Sequence, residues 1–196
     1  MEKLTSRQQQ AIQSKKQIYE VSMELFEKYG FEKVTIKQIC SACNISTGGF
    51  YHYFKGKEDI LVDKYRMTDS TFYGDVTDLP GDSYIDKIVE YMGKYARKAE
   101  EDGPVAVTEI CHAWLSRRLG FPYDDNSEVI RGLSYLLNGA CTAGEIPTSI
   151  NIKDFQMDIM MIVRGIIYHW CLMQGGFSVS EKTKETLCIY LNGRKN

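Results

Sequence analysis

The chain has 196 residues, 43% of them hydrophobic, and a formal net charge of −2. That is enough apolar material for one large core or two unequal ones, and the near-neutral balance excludes a strong global attraction to nucleic acid or to an anionic membrane. No apolar run approaches the ~20 residues of a membrane span, and the start, MEKLTSRQQQ, lacks the apolar region of a signal peptide. A cytoplasmic protein with no membrane partner is expected. The six cysteines (Cys40, Cys43, Cys111, Cys141, Cys171, Cys188) are scattered through helical patterns, as buried thiols of a reducing compartment are, rather than spaced as a disulfide framework. From Met1 to Tyr65, ten Lys/Arg stand against eight Asp/Glu, a local +2 that leaves −4 for the remainder.

Apolar spacing is helical almost everywhere, so the fold class expected is all-α, with about nine helices. The first spans roughly Gln8 to Tyr29, with Ile18, Val21, Leu25 and Tyr29 in one stripe and Gly30 as the left-handed stop. The second opens on a capping box, Thr35-x-x-Gln38, and ends near Cys43. Asn44, which tolerates positive φ, makes the tight turn. Ser46 caps a third helix ending near Phe54, and Gly56 precedes a fourth that continues to about Tyr73.

Asp78-Leu79-Pro80-Gly81-Asp82 is the clearest break in the chain and a candidate boundary region. Beyond it, helices are expected at about Ser83–Glu101, from Pro104 to Leu119, at Ser127–Ala143, from Asn151 to Gln174, and after a second capping box, Ser178-x-x-Glu181, to Leu191.

The helix from Thr47 to Phe54 makes poor sense as a purely structural element. Gly48 and Gly49 each cost about 1 kcal/mol relative to alanine in a helix interior. A bare backbone permits close approach to a groove floor or sugar-phosphate wall, and the N-terminal residues of a reading helix face base edges in the major groove. Ser46, Thr47, Gly48 and Gly49 would sit there, followed by Tyr51, His52 and Lys55 as donors to phosphate or bases. Phe50 and Phe54, four apart, make the stripe that docks this helix. The bland alternative is a surface helical hairpin with no ligand.

This segment resembles the DNA-binding domain of the TetR/AcrR family of bacterial transcriptional regulators. The likeness rests on Thr35, Ile39, Ile45, Ser46, Gly48, Phe50, Tyr51, Tyr53, Phe54, Lys57 and Glu58, with Leu25-Phe26 and Tyr29-Gly30-Phe31 upstream. Cys40 and Cys43 stand where the family usually has alanine, and Asn44 where it usually has glycine. The resemblance implies a helix-turn-helix DNA-binding domain over residues 1–56 and a larger helical ligand-binding and dimerisation domain over 57–196. It implies that Thr35, Tyr51 and Lys57 hold phosphates while Thr47, Gly48 and His52 face base edges. Its partners would be a roughly palindromic double-stranded operator, a second copy of the chain and an unknown small-molecule effector. Repression relieved by ligand is the family's commoner logic.

In the C-terminal half, the helix from Ile152 to Gln174 is apolar on two faces. One carries Ile152, Phe155, Ile159, Val163, Ile166 and Trp170, the other Met157, Met160, Met161, Tyr168 and Cys171, which predicts burial on both sides. By family analogy, this helix and the last one form a four-helix dimer bundle. Arg164, the charge within that run, needs a partner: an anionic ligand, Asp158, Glu145 or a residue across the dimer. Met92, Tyr95, Trp114, Phe121, Met161 and Tyr168 are candidate pocket walls beside Arg164, since pockets are lined mostly by apolar and aromatic groups. His112 and His169 are expected to be structural.

Cys40-x-x-Cys43 admits a rival function, a thiol oxidoreductase or a redox-responsive regulator. A thioredoxin-like site needs a βαβ context, however, and a zinc site two further ligands. A helical binding module that never touches DNA is the other rival. No catalytic set, metal cluster or cofactor motif is visible, so no enzyme activity, metal or cofactor is expected.

Overall fold

A computed structural model of the chain describes residues 5–63, 76, 78–117 and 127–193. Within these residues the secondary structure is helical, with no strand. The chain divides into two compact units, Met1–Lys64 and Tyr65–Asn196. The helical residues 57–63 therefore belong with the first unit, not with the larger one as a boundary at 56/57 would have it. The physical reason is a core shared with the preceding helices, to which Ile60, Leu61 and Val62 contribute buried side chains.

The first unit comprises α1 (Ser6–Tyr29), α2 (Ile36–Cys43), α3 (Thr47–Tyr53) and α4, whose described part is 57–63. The expected extension of α4 to Tyr73 lies outside the described residues. Gly30, at φ 83°, ends α1 with its N–H on the Phe26 carbonyl at 2.9 Å, the left-handed stop that glycine adopts without penalty. Ile18 and Phe26 of α1, Ile39 and Cys43 of α2, and Phe50 and Phe54 on the α3 side are all buried.

The second unit contains α5 (Tyr84–Arg117), α6 (Glu128–Thr142), α7 (Ile152–Leu172) and α8 (Val179–Asn192). α5 is two arms joined at Gly103, whose φ 80° and ψ 156° are not helical, and Pro104 opens the second arm. The two separate helices expected there are thus present. Phe121 and Tyr123 lie outside the described residues. The Asp78–Asp82 break is no boundary: Val76 and Leu79 pack into the core with Ile88, Leu133, Leu137, Ile159 and Leu187.

The capping box expected at Ser178 forms only in half. Its hydroxyl oxygen accepts from Glu181 N–H at 3.3 Å, but its proton goes to Glu100 of α5 at 2.8 Å, and the same Glu100 oxygen takes Ser180 N–H at 3.2 Å. A carboxylate from another helix takes the Ser178 hydroxyl proton and one orphan N–H of the first turn, which ties α8 to α5. Ser180 Oγ donates to the Gly93 carbonyl at 2.9 Å, and Lys184 pairs with Glu90 at 2.8 Å, extending that seam.

Glu145 closes the N-terminus of α5, accepting from Tyr84 N–H and Ile85 N–H at 2.9 Å each. An anion on the orphan donors of a helix start is stabilised by hydrogen bonds and by the helix dipole. Glu145→Ala should destabilise the chain by about 2 kcal/mol, read by denaturant unfolding, because two charge-assisted bonds are lost at once.

Candidate nucleic-acid interface

The α2–turn–α3 segment is built almost entirely from local bonds. Thr35 caps α2 reciprocally: Gln38 N–H reaches Thr35 Oγ1 at 3.3 Å, and Thr35 N–H reaches Gln38 Oε1 at 2.8 Å. Asn44 sits at φ 55°, ψ 45°, and the turn closes with Asn44 N–H on the Ser41 carbonyl at 3.2 Å and Ile45 N–H on the Cys40 carbonyl at 3.0 Å. These two bonds make a Schellman ending with asparagine in glycine's place. Ser46 then caps α3, its Oγ accepting from Gly49 N–H at 3.0 Å.

α3 is held by its aromatic residues and leaves the rest of its surface open. Phe50 and Phe54 are buried with ring centroids 5.9 Å apart. Tyr51 rests edge-on against Phe50 at 5.6 Å while remaining 53% exposed, and exposed His52 stands edge-on to Tyr53 at 4.9 Å. Thr35, Ser46, Thr47, Gly48 and Lys55 are exposed and Gly49 is half-buried, so the structure brings eight of the nine proposed DNA residues onto accessible parts of one small unit. The hydroxyls of Thr35 and Ser46 already serve as caps.

The two glycines are not required by the packing of the chain. A Cβ at Gly48 would come no nearer than 3.9 Å to Ser46 Oγ, and one at Gly49 would meet the same atom at 3.4 Å and Ile45 Cβ at 3.8 Å. Both are ordinary contacts. Neither glycine has a positive φ, so the backbone conformation does not require them either.

Lys57 is the ninth residue, and its ammonium is turned inward. It donates to the carbonyls of Phe31 at 2.7 Å, Val34 at 3.3 Å and Glu32 at 3.4 Å, and lies over the Phe31 ring at 4.3 Å. A lysine has three donors, and each has a carbonyl. The cation expected at a phosphate is, in this structure, hydrogen-bonded to the α1–α2 turn. Its partners lie 23 to 26 residues away, beyond the reach of a local sequence reading.

The cysteine pair is structural in its setting. Cys40 and Cys43 are buried, and Cys40 Sγ donates to the Ser46 carbonyl at 3.9 Å, across the turn. Burial, followed by the neighbouring Cys40, pushes the Cys43 thiol above its ordinary pKa, whereas thiol chemistry needs the thiolate. Among the described residues, no group of three or more His, Cys, Asp or Glu could hold a metal ion, and no helix is long and apolar enough to cross a membrane.

The candidate ligand residues of the larger unit do not converge. Met92 and Tyr95 are buried in its core, while Trp114 and Arg164 are half-buried. Met161 and Tyr168, at 53% and 54% exposure, lie on the outer face of α7 and line no interior wall of this unit. Glu145 is occupied at the start of α5, and Asp158 accepts the Tyr190 hydroxyl at 2.8 Å. The charge of Arg164 is felt by the Cys111 thiol, which burial and then Cys171 raise to about 11 against the lowering influence of that guanidinium. His112 and His169 are exposed rather than buried, His169 with its ring 6.3 Å from Phe177.

Sequence reasoning missed the groove between α7 and α8. It is an open depression of about 990 Å³, lined by Met161, Ile162, Gly165, Ile166, His169 and Phe177, with Glu181, Lys182 and Glu185 at its edge. Met157, Met161, Tyr168 and Leu172 are 46–62% exposed along α7. A Cβ added at Gly165 would meet nothing within 4 Å.

Two short helices set at a left-handed turn, with an open, hydroxyl-rich second helix, make a unit of the helix-turn-helix class. Residues 18–63 match the family described as bacterial regulatory proteins, tetR family. That match covers the helix-turn-helix segment of the chain. It is 46% identical over 50 residues to the uncharacterized HTH-type transcriptional regulator YerO of Bacillus subtilis (strain 168), a match spanning 26% of this chain and only 17% of that relative. Over 178 residues it is 24% identical to the HTH-type transcriptional regulator HbdR of Aromatoleum sp. (strain CIB), covering 88% of this chain and 77% of HbdR. In fold it is similar to Thermus thermophilus FadR, a TetR-family repressor whose structure holds lauroyl-CoA, with a TM-score of 0.72, 18% identity and coverage of 91% and 93% of the two chains.

Proposed function

We propose that the chain is a homodimeric transcription regulator that binds a roughly palindromic operator through α2 and α3 and responds to a small molecule held in the larger unit. The observation that carries the reading is the pair Gly48-Gly49: two glycines at the open face of a capped helix, in positions where the chain itself would accept alanine. A groove wall coming close to the backbone accounts for them. Thr47, Gly48, Gly49 and His52 would face base edges, with Thr35, Ser46, Tyr51 and Lys55 on the sugar-phosphate backbone. Phosphate contacts fix the register, and base contacts carry the sequence information.

The exposed strip of α7 supports the dimer. Mid-helix Gly165 sits in open space beside an apolar groove, and glycine there costs about 1 kcal/mol of helix stability with no return inside one chain. A second copy crossing at Gly165 gives that glycine a purpose and covers Met157, Met161 and Tyr168. Because nothing lies within 4 Å of its missing Cβ, Gly165→Arg should fold normally. It should run as a monomer in analytical ultracentrifugation and lose operator affinity at concentrations where the native chain binds. A dimer unaffected by the arginine would place the interface elsewhere.

Two reading heads joined by such an interface match successive major grooves on one face of the duplex. An effector that changes their separation weakens binding without touching a base contact, which is reciprocal coupling between two sites. Repression relieved by ligand follows from that logic, and FadR with lauroyl-CoA is a neighbour in fold that pairs a repressor with a bound small molecule.

A further inference from the structure

Two cysteines on different helices meet where the second arm of α5 packs on α7. A Cβ at Gly175, just beyond the end of α7, would sit 3.5 Å from Pro104 Cγ at the start of that arm. One turn further along the arm, the Thr108 hydroxyl donates to the Pro104 carbonyl at 2.7 Å and is also the hydrogen-bond neighbour of the Cys171 thiol. The arm and α7 therefore run antiparallel. Pro104, Thr108 and Cys111, spaced four and three apart, share one face of the arm, while Arg164 and Cys171, two turns apart, share one face of α7. Cys111 comes level with the α7 turn between those two, and it feels both, Cys171 more strongly than Arg164.

Both thiols are half-buried against the apolar core, which leaves a small ion room to enter. Cys40 and Cys43 differ: they are buried on a single helix, with the Cys40 thiol on the Ser46 carbonyl. Peroxide and disulfide chemistry start from a thiolate, whereas burial holds Cys171 above its ordinary range and Cys111 at about 11. Structural zinc takes four ligands, and among the described residues no third His, Cys, Asp or Glu joins the pair. A soft monovalent ion is satisfied by two thiolates in line, and a coordinating metal removes the thiol proton outright.

We propose that Cys111 and Cys171 form a two-coordinate site for the soft monovalent cation Cu(I), which joins the second arm of α5 to α7. Two S–H bonds break, two sulfur–copper bonds form and two protons leave, with no change of oxidation state. The bis-thiolate ion carries one negative charge, and the Arg164 guanidinium offsets it, as a charge withdrawn from water requires. The site stands independently of the DNA-binding reading, and no DNA enters its test.

The test uses the full chain, reduced and free of oxygen, with Cu(I) presented in a colour-forming chelator that competes for it. The native chain should take one ion per protomer from the chelator, with two sulfur neighbours by X-ray absorption. The double variant Cys40→Ala/Cys43→Ala should take it equally well. Cys111→Ser and Cys171→Ser, each close to the native side chain in size, should weaken binding at least about a hundredfold, and Arg164→Gln about tenfold, the range over which groups around a metal tune its affinity. Cu(I) should also raise the unfolding temperature of the native chain, because an ion held only by the folded pair stabilises it by mass action. It should leave the unfolding temperature of either serine variant unchanged. Copper retained at native affinity by Cys111→Ser or Cys171→Ser, copper lost with Cys40 and Cys43, or no uptake by the native chain overturns the proposal.

Discussion

Replacing Gly48 and Gly49 together by alanine should stabilise the first unit and weaken operator binding. Each substitution removes a glycine from the first turn of α3, a gain below the ~1 kcal/mol of a helix-interior position. The added methyls meet only Ser46 Oγ and Ile45 Cβ, at 3.4 Å or more, so no strain opposes the gain. On the DNA side, the same methyls occupy the space in which the backbone approaches the groove, and a disturbed base contact costs about 1–3 kcal/mol, or tenfold and upward in affinity. Thermal unfolding and operator titration of the double variant should therefore move in opposite directions. A variant both more stable and unimpaired in binding would remove the reason for the glycines.

The same substitution at Gly132 should have the opposite effect on stability. A Cβ there would lie 2.1 Å from the hydroxyl oxygen of Tyr91, 2.6 Å from its Cζ and 2.9 Å from Val76 Cγ2. Tyr91 has no exposed surface, and its hydroxyl is 3.3 Å from the carbonyls of Glu128 and Val129. It has no room to retreat. Forcing atoms into a packed core and disturbing that hydrogen bond should together cost about 3 kcal/mol, even after alanine's helix preference is credited. Tyr91→Phe in the Gly132→Ala background should recover part of the loss, because it removes the nearest atom and leaves Cζ too close. Urea unfolding of the four proteins in the cycle gives the coupling directly. Full additivity would mean that the two side chains do not share the space.

These cases separate what a linear reading of the chain can find from what it cannot. The Thr35 box, the Asn44 turn and the Ser46 cap were legible because each device closes within five residues and uses side chains suited to it. The Phe50 and Phe54 docking stripe followed from helix periodicity in the same way. Gly132 carried no such mark: its reason is Tyr91, on another helix. The contacts of Lys57 were hidden for a related cause. A lysine at a helix start next to a DNA-binding segment has an obvious partner in phosphate, and only the folded turn shows three carbonyls already waiting for it. At Ser178 the local glutamate was the expected partner, and the structure adds Glu100 of α5 on the serine hydroxyl and on Ser180 N–H. For α7, periodicity found two apolar faces and predicted both to be buried. The structure buries Ile159 and Val163 and leaves Met161 and Tyr168 outside, which moves those two from a pocket wall to a surface that needs a partner.

The larger unit gives the least direct account of its effector. Its described core is continuous from Val76 to Leu191, and the residues first considered for a ligand fall partly inside it and partly on its surface. The DNA-binding unit is better defined, because its small size forces each exposed side chain and each glycine to have a local reason or an external one.

Selection of bound duplexes from a random pool by the native full-length chain tests the central claim most directly. The account predicts enrichment of a sequence with two-fold symmetry, its half-sites spaced to put two α3 helices in successive major grooves, about one helical turn apart or a small multiple of it. That enrichment should be lost in Gly165→Arg. No enriched sequence at low salt, where every phosphate contact is strongest, would contradict it.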